Sequence, residues 1–238
     1  MADIRLTPGN DTYVEPDSDR NEWNHFFGEA GDDVIHFYQG QAIGGPGNDR
    51  IERITYPGEP WRSAFVAYWD SPAGVNVDLA TGAADDGFGT RDTLVGIDHI
   101  SGSSHSDLLF GNAANNSFNT QGGSDAIDGR AGIDEVTLWH PASDRFRPAL
   151  LGEVDIRVSP DARLATIRML NGQFTISTTD VEILNVWDGV VQPNGNLNTV
   201  PYTIANFLTH QTMAEQAIVA GDGLRWNAAA ATGSAVTV

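Results

Sequence analysis

The chain has 238 residues and a formal net charge of -19, with 32 acidic residues against 13 basic residues, all of them arginine. This excess of negative charge disfavours nucleic acid and anionic membranes as partners and favours cations. The chain contains no cysteine, which excludes disulfides and thiol chemistry, and no apolar stretch reaches the ~20 residues that a membrane span needs.

Residues 1–58 contain three copies of a nonapeptide with Gly at its fourth position and Asp at its sixth. The copies read LTPGNDTYV from Leu6, GEAGDDVIH from Gly28 and GGPGNDRIE from Gly44. Their sixth positions are Asp11, Asp33 and Asp49, and their turn glycines are Gly9, Gly31, Gly45 and Gly47. Glycine at these positions permits the positive φ angles that tight turns require.

Residues 59–92 are predicted to form a strand and loop junction, with strands in RSAFVAYWD and VNVDL separated by loops rich in Gly and Asp. An aromatic cluster, Trp61, Phe65, Tyr68 and Trp69, lies in this junction. Exposed aromatic rings can stack on sugars, but such clusters more often pack a core or a junction, and we favour packing.

Residues 93–140 form the regular part of the repeat. Five consecutive nonapeptides start at Thr93 and read TLVGIDHIS, GSSHSDLLF, GNAANNSFN, TQGGSDAID and GRAGIDEVT. Their sixth positions are Asp98, Asp107, Asn116, Asp125 and Asp134; Gly96, Gly123 and Gly132 hold the fourth position, where His105 and Ala114 are exceptions. Every eighth position is apolar. A unit of nine residues suits a turn of about six residues and a strand of about three, with the eighth side chain pointing inward.

The repeated carboxylates indicate a metal site. A single Asp in a turn usually bonds nearby backbone amides, whereas a run of in-phase Asp with Gly neighbours favours a metal. Oxygen donors from carboxylates and backbone carbonyls suit a hard cation of the size of calcium. His99 and His105 do not indicate zinc, because no HExxH motif or cysteine pair accompanies them.

The C-terminal third predicts two further units. Residues 141–192 alternate as antiparallel strands, with Val154, Ile156 and Val158 on one face and a return strand from Leu164, and they would cap the repeat. Residues 193–238 predict a helical tail, in which Thr212 to Glu215 forms a capping box. We find no nucleophile elbow, phosphate loop or zinc motif, and we expect no catalysis from this chain alone.

The nonapeptides resemble the GGxGxDxUx repeat of RTX (hemolysin-type) calcium-binding proteins, over residues 3 to 192. The resemblance implies an all-β fold, a parallel β-roll (right-handed β-solenoid) with two nonapeptides per coil and calcium between stacked turns. It therefore implies that Asp107 stacks with Asp125, and that Asp98, Asn116 and Asp134 stack on the other side. Asp33 and Asp49 would pair across a shortened repeat, and an insertion separates Asp11 from Asp33.

The resemblance also implies secretion by a type I exporter, with the signal in the C-terminal tail, and an extracellular location. The first residues, MADIRLTPGNDTYVEP, lack the apolar segment of a Sec signal peptide. Calcium ions and the exporter are the expected partners, and a glycan or surface partner is also compatible. Two alternatives stay open, an accessory module or fragment of an extracellular enzyme (a serralysin-like protease or a polysaccharide-modifying enzyme) and a segment of an adhesin.

Overall fold

The computed structural model describes residues 1–56, 58, 63–139, 154–159, 163–170, 172, 174–191 and 197–203. Within these residues all regular secondary structure is β-strand, as predicted, and the strands form two large sheets. The described part of the chain holds no helix long and apolar enough to cross a membrane.

The strands are numbered in chain order and fall into two sheets. The first sheet has nine strands in the order β1 (Asp3–Arg5), β3 (Asn24–Phe27), β5 (Gly40–Ile43), β7 (Ala64–Ala67), β11 (His99–Ser101), β13 (Ser117–Thr120), β15 (Glu135–Leu138), β19 (Ile183–Val191) and β20 (Leu197–Thr203). The second sheet has eleven strands in the order β16 (Val154–Val158), β17 (Leu164–Met169), β18 (Thr175–Thr179), β14 (Ala126–Asp128), β12 (Leu108–Phe110), β8 (Asn76–Asp78), β9 (Ala83–Asp85), β10 (Arg91–Val95), β6 (Arg50–Arg53), β4 (Val34–Phe37) and β2 (Thr12–Val14).

Consecutive strands alternate between the two sheets through most of the chain. In the regular repeat, β11 pairs in parallel with β13 and β13 with β15, so that His99, Ser117 and Glu135 lie side by side. The second sheet pairs β12 with β14 in the same way. Paired residues are therefore two nonapeptides apart, which places each turn next to the turn that follows two repeats later.

Both sheets also contain antiparallel pairs, so their orientation is mixed. The three-strand segment β8, β9 and β10 folds back on itself inside the second sheet. The strands β16 and β17 form the predicted antiparallel hairpin, and they extend the edge of the second sheet through β18. β20 extends the first sheet in the same way by pairing with β19.

The predicted helical tail is described only over Leu197–Thr203, and this stretch is a strand. This strand pairs with β19 in antiparallel orientation. The predicted helical stretch, residues 203–220 with its capping box, lies outside the described residues except for Thr203.

The core consists of apolar side chains from both sheets. The five eighth-position residues of the regular repeat are at most 2% exposed, which confirms their inward orientation: Ile100, Leu109, Phe118, Ile127 and Val136. They belong to one cluster with residues of the N-terminal and C-terminal strands, such as Phe26 and Ile176. Burying one such side chain contributes about 1.5–3 kcal/mol, so the repeat supplies a regular share of the stability.

The junction aromatics have different environments. Phe65 stacks on His99 with ring centroids 4.4 Å apart, and Tyr68 is 3% exposed, so these two residues serve packing. Trp69 is 37% exposed and faces solvent. Trp61 lies outside the described residues.

Candidate metal centre

Four aspartates at the starts of neighbouring strands of the second sheet form what we call the N-terminal ladder: Asp11, Asp33, Asp49 and Asp92. The backbone N–H of each donates to Oδ1 of the next, at 2.8 Å, 2.8 Å and 3.0 Å in turn. Asp33 and Asp49 therefore pair across 16 residues, as predicted, and Asp11 pairs with Asp33 across 22 residues despite the insertion.

Asp92 was missed by the sequence analysis. It ends the turn of a further nonapeptide, GFGTRDTLV from Gly87, which has Gly first, Asp sixth and the apolar Leu94 eighth. This copy overlaps the nonapeptide that begins at Thr93 and is out of phase with it, so the sequence analysis did not detect it. The signal that could have found it is the spacing from Gly87 through Asp92 to Leu94.

A second pair of aspartates, the central ladder, lies in the same sheet. The Asp107 N–H donates to Oδ1 of Asp125 at 3.0 Å, and the Val75 N–H donates to Oδ1 of Asp107 at 2.9 Å. The predicted pairing of Asp107 with Asp125 is therefore present.

The first sheet carries the opposite ladder, Asn116, Asp134 and Glu182. The Asn116 N–H donates to Oδ1 of Asp134 at 2.7 Å, and the Asp134 N–H donates to Oε2 of Glu182 at 2.8 Å. The sequence analysis missed Glu182 because Glu stands where the repeat has Asp. The nonapeptide STTDVEILN, which starts at Ser177, has this acid at its sixth position and the buried Leu184 at its eighth. The acid and the apolar residue two positions later were the available signal.

Asp98 differs from the other sixth-position residues. Its Oδ2 accepts a hydrogen bond from Nη1 of Arg53 at 2.5 Å, and its Oδ1 accepts the Ala64 N–H at 2.9 Å. Asn116 reaches Asp98 only through its side-chain Nδ2, which donates to the Asp98 backbone carbonyl at 3.0 Å. A guanidinium of the chain itself thus neutralises this carboxylate, and Asp98 lacks the ladder contact to Asn116 that the prediction required.

Most ladder carboxylates are buried, and four of them have an oxygen without a partner. Within the described residues, no hydrogen-bond partner contacts the buried Oδ2 atom of Asp33, Asp49, Asp125 or Asp134. Each of these residues is at most 2% exposed. A buried carboxylate oxygen without a donor is costly unless something else, such as a cation, satisfies it.

Two other sixth-position aspartates are satisfied by a hydroxyl residue at the second position of their own turn. Ser103 donates to Asp107 through its N–H at 2.7 Å and its Oγ at 2.6 Å. Thr7 donates to Oδ2 of Asp11 in the same way, through its N–H at 2.7 Å and its Oγ1 at 2.6 Å. In these turns the protein itself supplies the donors.

The backbone at the second position accounts for much of this difference. Glu29, Gly45 and Arg130 precede Asp33, Asp49 and Asp134, and their φ angles are 73°, 87° and 69°. This left-handed conformation is costly for Glu and Arg, and in these three turns the second-position N–H does not reach the carboxylate. Three of the four unpartnered carboxylates therefore lie in turns with a left-handed second residue, and Asp125, which follows Gln121, is the exception.

The first-position glycines leave space beside the carboxylates. A Cβ on Gly28 would lie 2.7 Å from Oδ2 of Asp33, and a Cβ on Gly129 would lie 2.5 Å from Oδ2 of Asp134. Gly44 has the same relation to Asp49. A side chain at any of these positions would fill the space next to the unpartnered oxygen.

The other turn glycines bring backbone carbonyls of neighbouring turns close together. A Cβ at each of these glycines would collide with the backbone of the stacked turn: Gly31 with Gly9, Gly45 with Glu29, Gly47 with Gly31, Gly123 with His105 and Gly132 with Ala114. Gly96 is the exception, because its nearest neighbours are atoms of the Arg53 side chain. Apart from Gly96, the predicted turn glycines thus lie where one turn meets the next.

Burial shifts the pKa of the ladder carboxylates upward. Loss of hydration raises the pKa of Asp49 to about 7, of Asp125 to about 8 and of Asp134 to about 6. The same cause raises the pKa of Asp92 to about 8 and also raises that of Asp33. Hydrogen bonds from Thr7 lower the pKa of Asp11 instead. At neutral pH, the buried carboxylates with raised pKa values are therefore poorly stabilised as anions.

These features fit a calcium ion between two turns better than a site made of side chains alone. Among the described residues, no group of three or more His, Cys, Asp or Glu side chains could hold a metal. An ion at a ladder would take one or two carboxylates and complete its shell with backbone carbonyls, and calcium accepts both kinds of oxygen.

Comparison of the chain with models of known protein families gives no match, and comparison with curated proteins gives none.

Proposed function

We propose that the chain is a secreted, calcium-binding module of the RTX type, folded as a parallel β-roll (right-handed β-solenoid), and that calcium drives its folding. The observation that carries this proposal is the set of four buried Oδ2 atoms, on Asp33, Asp49, Asp125 and Asp134, that lack a partner among the described residues. The alternation of strands between two sheets and the pairing two nonapeptides apart also support it.

Folding depends on the ion because the ladders concentrate like charge. Stacked carboxylates repel each other, and Gly-rich turns lose much conformational entropy when they become ordered. Calcium supplies positive charge and oxygen coordination between two turns, so its binding free energy becomes folding free energy. The chain's own residues then position the oxygens: the strands set the turn spacing, and the N–H to Oδ1 bonds hold one oxygen of each carboxylate.

Calcium concentration would make this switch specific to the outside of the cell. Extracellular calcium modules bind calcium with a Kd of about 10⁻⁴–10⁻³ M, which is much weaker than the binding by cytosolic sensors. A chain with such sites stays loosely folded during export by a type I exporter and folds after release. The net charge of -19 opposes compaction until cations neutralise it.

A calcium titration of the full chain tests the proposal. After treatment with EGTA, circular dichroism should show reduced β-structure, and calcium in the millimolar range should restore it cooperatively. Magnesium at the same concentration is the control, because its smaller octahedral shell suits carbonyl-rich turns poorly. Identical spectra with calcium and with EGTA, together with no heat of calcium binding in calorimetry, would show that the proposal is wrong.

A further inference from the structure

A cleft of about 480 Å³ lies beside the N-terminal ladder. Its floor is the third residue of three stacked turns, Pro8, Ala30 and Pro46, and exposed Trp69 forms part of its wall. Its volume lies within the range of about 300–1,000 Å³ that is usual for small-molecule sites. The row of small apolar residues exists only because the three turns stack in register.

The cleft combines an aromatic surface with polar groups of both kinds. Trp69 is 37% exposed, and it makes no ring contact or hydrogen bond with the described residues. Arg5 lies 3.8 Å above the Phe27 ring and bonds Glu29 at 2.8 Å, and Asp70 adds a carboxylate at the rim. The cleft lining thus contains a guanidinium, an indole and two carboxylates, and the guanidinium is paired with one of the carboxylates.

We propose that this cleft binds a neutral carbohydrate and that binding requires calcium. The C–H faces of a sugar ring carry slight positive charge and suit the negative face of an indole. Sugar hydroxyls both donate and accept, which matches a rim with a guanidinium, an indole N–H and two carboxylates. The acidic chain, with a net charge of -19, disfavours uronic acids and other anionic ligands. The rim has donors as well as acceptors, which argues against a simple cation.

The calcium requirement rests on the proposed function, because two of the three turns in the floor contain Asp33 and Asp49. The unpartnered Oδ2 atoms of these residues lie beside Gly28 and Gly44 of the same turns. If calcium orders these turns, it also orders Ala30 and Pro46. Sugar binding would then report the folded state of the N-terminal ladder.

The first experiment is a panel of immobilised neutral, uronic-acid and amino oligosaccharides, probed with the full chain in millimolar calcium and in EGTA. We expect retention of neutral oligosaccharides in calcium only. Retention of only uronic acids or amino sugars, or of none of the panel, would overturn the proposed ligand class. Binding of neutral sugars that persists unchanged in EGTA would overturn the calcium requirement.

The second experiment compares Trp69→Ala with a matched control, Trp23→Ala, which removes an indole that is 36% exposed and packs edge-on to Phe65 outside the cleft. Trp69→Ala should weaken binding of the neutral oligosaccharide by about tenfold or more, because it removes the stacking surface. Trp23→Ala should leave binding within about twofold. Equal binding by the two variants would overturn the site.

Calcium titration of the same variants separates this inference from the proposed function. Trp69→Ala should bind calcium as the wild type does, since no ladder carboxylate is among the residues that line the cleft. Asp70→Asn provides a second test of the cleft that keeps the side-chain shape, and it should weaken sugar binding while leaving the calcium titration unchanged. Normal calcium binding without sugar binding rejects the cleft alone, whereas loss of calcium binding in the wild type rejects the module proposal.

Discussion

The turns Gly28–Asp33 and Gly102–Asp107 share a sequence pattern but differ in the hydrogen bonding of their Asp carboxylates. Each begins with Gly and ends with an Asp that is 1% exposed. In the first turn Glu29 has a φ of 73°, and Oδ2 of Asp33 has no partner among the described residues. In the second turn Ser103 donates twice to Asp107. The two turns therefore differ at the second position: Ser103 donates to the carboxylate of its own turn, whereas in the turn of Glu29 the Oδ2 atom of Asp33 has no donor among the described residues.

Two arginines show another way to satisfy these oxygens. Arg53 pairs with Asp98, and Arg130 binds both carboxylate oxygens of Asp78 at 2.8 Å and also the Gly111 carbonyl at 2.6 Å. The side-chain hydrogen bonds from Arg130 lower the pKa of Asp78 to about 2. Arginine side chains of the chain itself thus satisfy Asp78 and Asp98, whereas Asp33 and Asp49 of the N-terminal ladder each keep one oxygen without a partner among the described residues.

Calcium removal should separate the two turns most strongly. In EGTA, hydrogen exchange followed by mass spectrometry should show faster exchange in peptides covering 28–49 than in peptides covering 102–110, by about tenfold or more. The reason is that the Oδ2 atoms of Asp33 and Asp49 lose the proposed ion and have no donor among the described residues, whereas both oxygens of Asp107 keep donors from Ser103. An equal change in both segments would contradict the distinction.

Alanine at the two kinds of carboxylate should have opposite signatures. Asp49→Ala should reduce the stabilisation by saturating calcium by about 1–3 kcal/mol, the range expected when one bound ion is lost. Asp107→Ala should instead lower the free energy of unfolding in EGTA by about 2–3 kcal/mol, because the Ser103 and Val75 donors lose their acceptor. Urea unfolding with and without calcium measures both. If Asp107→Ala reduced the stabilisation by calcium as much as Asp49→Ala does, the proposed difference between the two carboxylates would be wrong.

The pH dependence of the calcium-free protein should follow the raised pKa values. Asp49 at about 7 and Asp125 at about 8 hold protons in the folded state that they release in the unfolded state, where the ordinary value is 3.8. The resulting stability is complete below about pH 4 and is lost as the pH rises to about 8.

The thermal midpoint in EGTA should therefore fall from pH 5 to pH 8, and apparent calcium affinity should increase over the same range because protons compete with the ion. Asp125→Asn is the matched variant, since it keeps the side-chain shape without a titrating group, and it should reduce the slope. A midpoint in EGTA that rises with pH would contradict the assignment.

Ser103→Ala should make the stability of the Gly102–Asp107 turn more dependent on calcium, because it removes a hydrogen-bond donor to Asp107. The variant removes the Oγ donor to Asp107 but keeps the backbone donor, so we expect about 1 kcal/mol lower stability in EGTA. Saturating calcium should recover some of this loss, because Oδ1 of Asp107 then keeps only the Val75 N–H as a donor and gains room for an ion. Ser104→Ala, the next residue and exposed, is the control and should change neither quantity.

Asn116→Asp should have the smallest effect. It adds charge next to Asp134, whose Oδ2 lacks a partner among the described residues, and should lower the calcium midpoint by about twofold to threefold. The gain is limited because Asp cannot replace the Asn116 Nδ2 donor to the Asp98 carbonyl. Tryptophan fluorescence during calcium titration gives the midpoint. An unchanged or higher midpoint in an equally folded variant would place Asn116 away from any ion.

The local sequence determined much of the repeat, because its information lies within nine residues. The spacing of Gly, Asp and one apolar residue predicted the buried Leu109 and Ile127. The resemblance to the RTX repeat implied the pairing of Asp107 with Asp125 and the shortened pairing of Asp33 with Asp49. Alternation of apolar residues predicted the hairpin of β16 and β17. These features depend on turn chemistry and on the inward face of a strand, both of which are local.

Only the tertiary structure decided which distant turns became neighbours. Asp92 follows Asp49 across 43 residues, and Glu182 follows Asp134 across 48, because inserted segments of unequal length return the chain to the sheet edge. Arg53 reaches Asp98 across 45 residues and so removes it from the ladder. The free energy that fixes these registers comes from packing both sheets on one core, and no single nonapeptide contains that information.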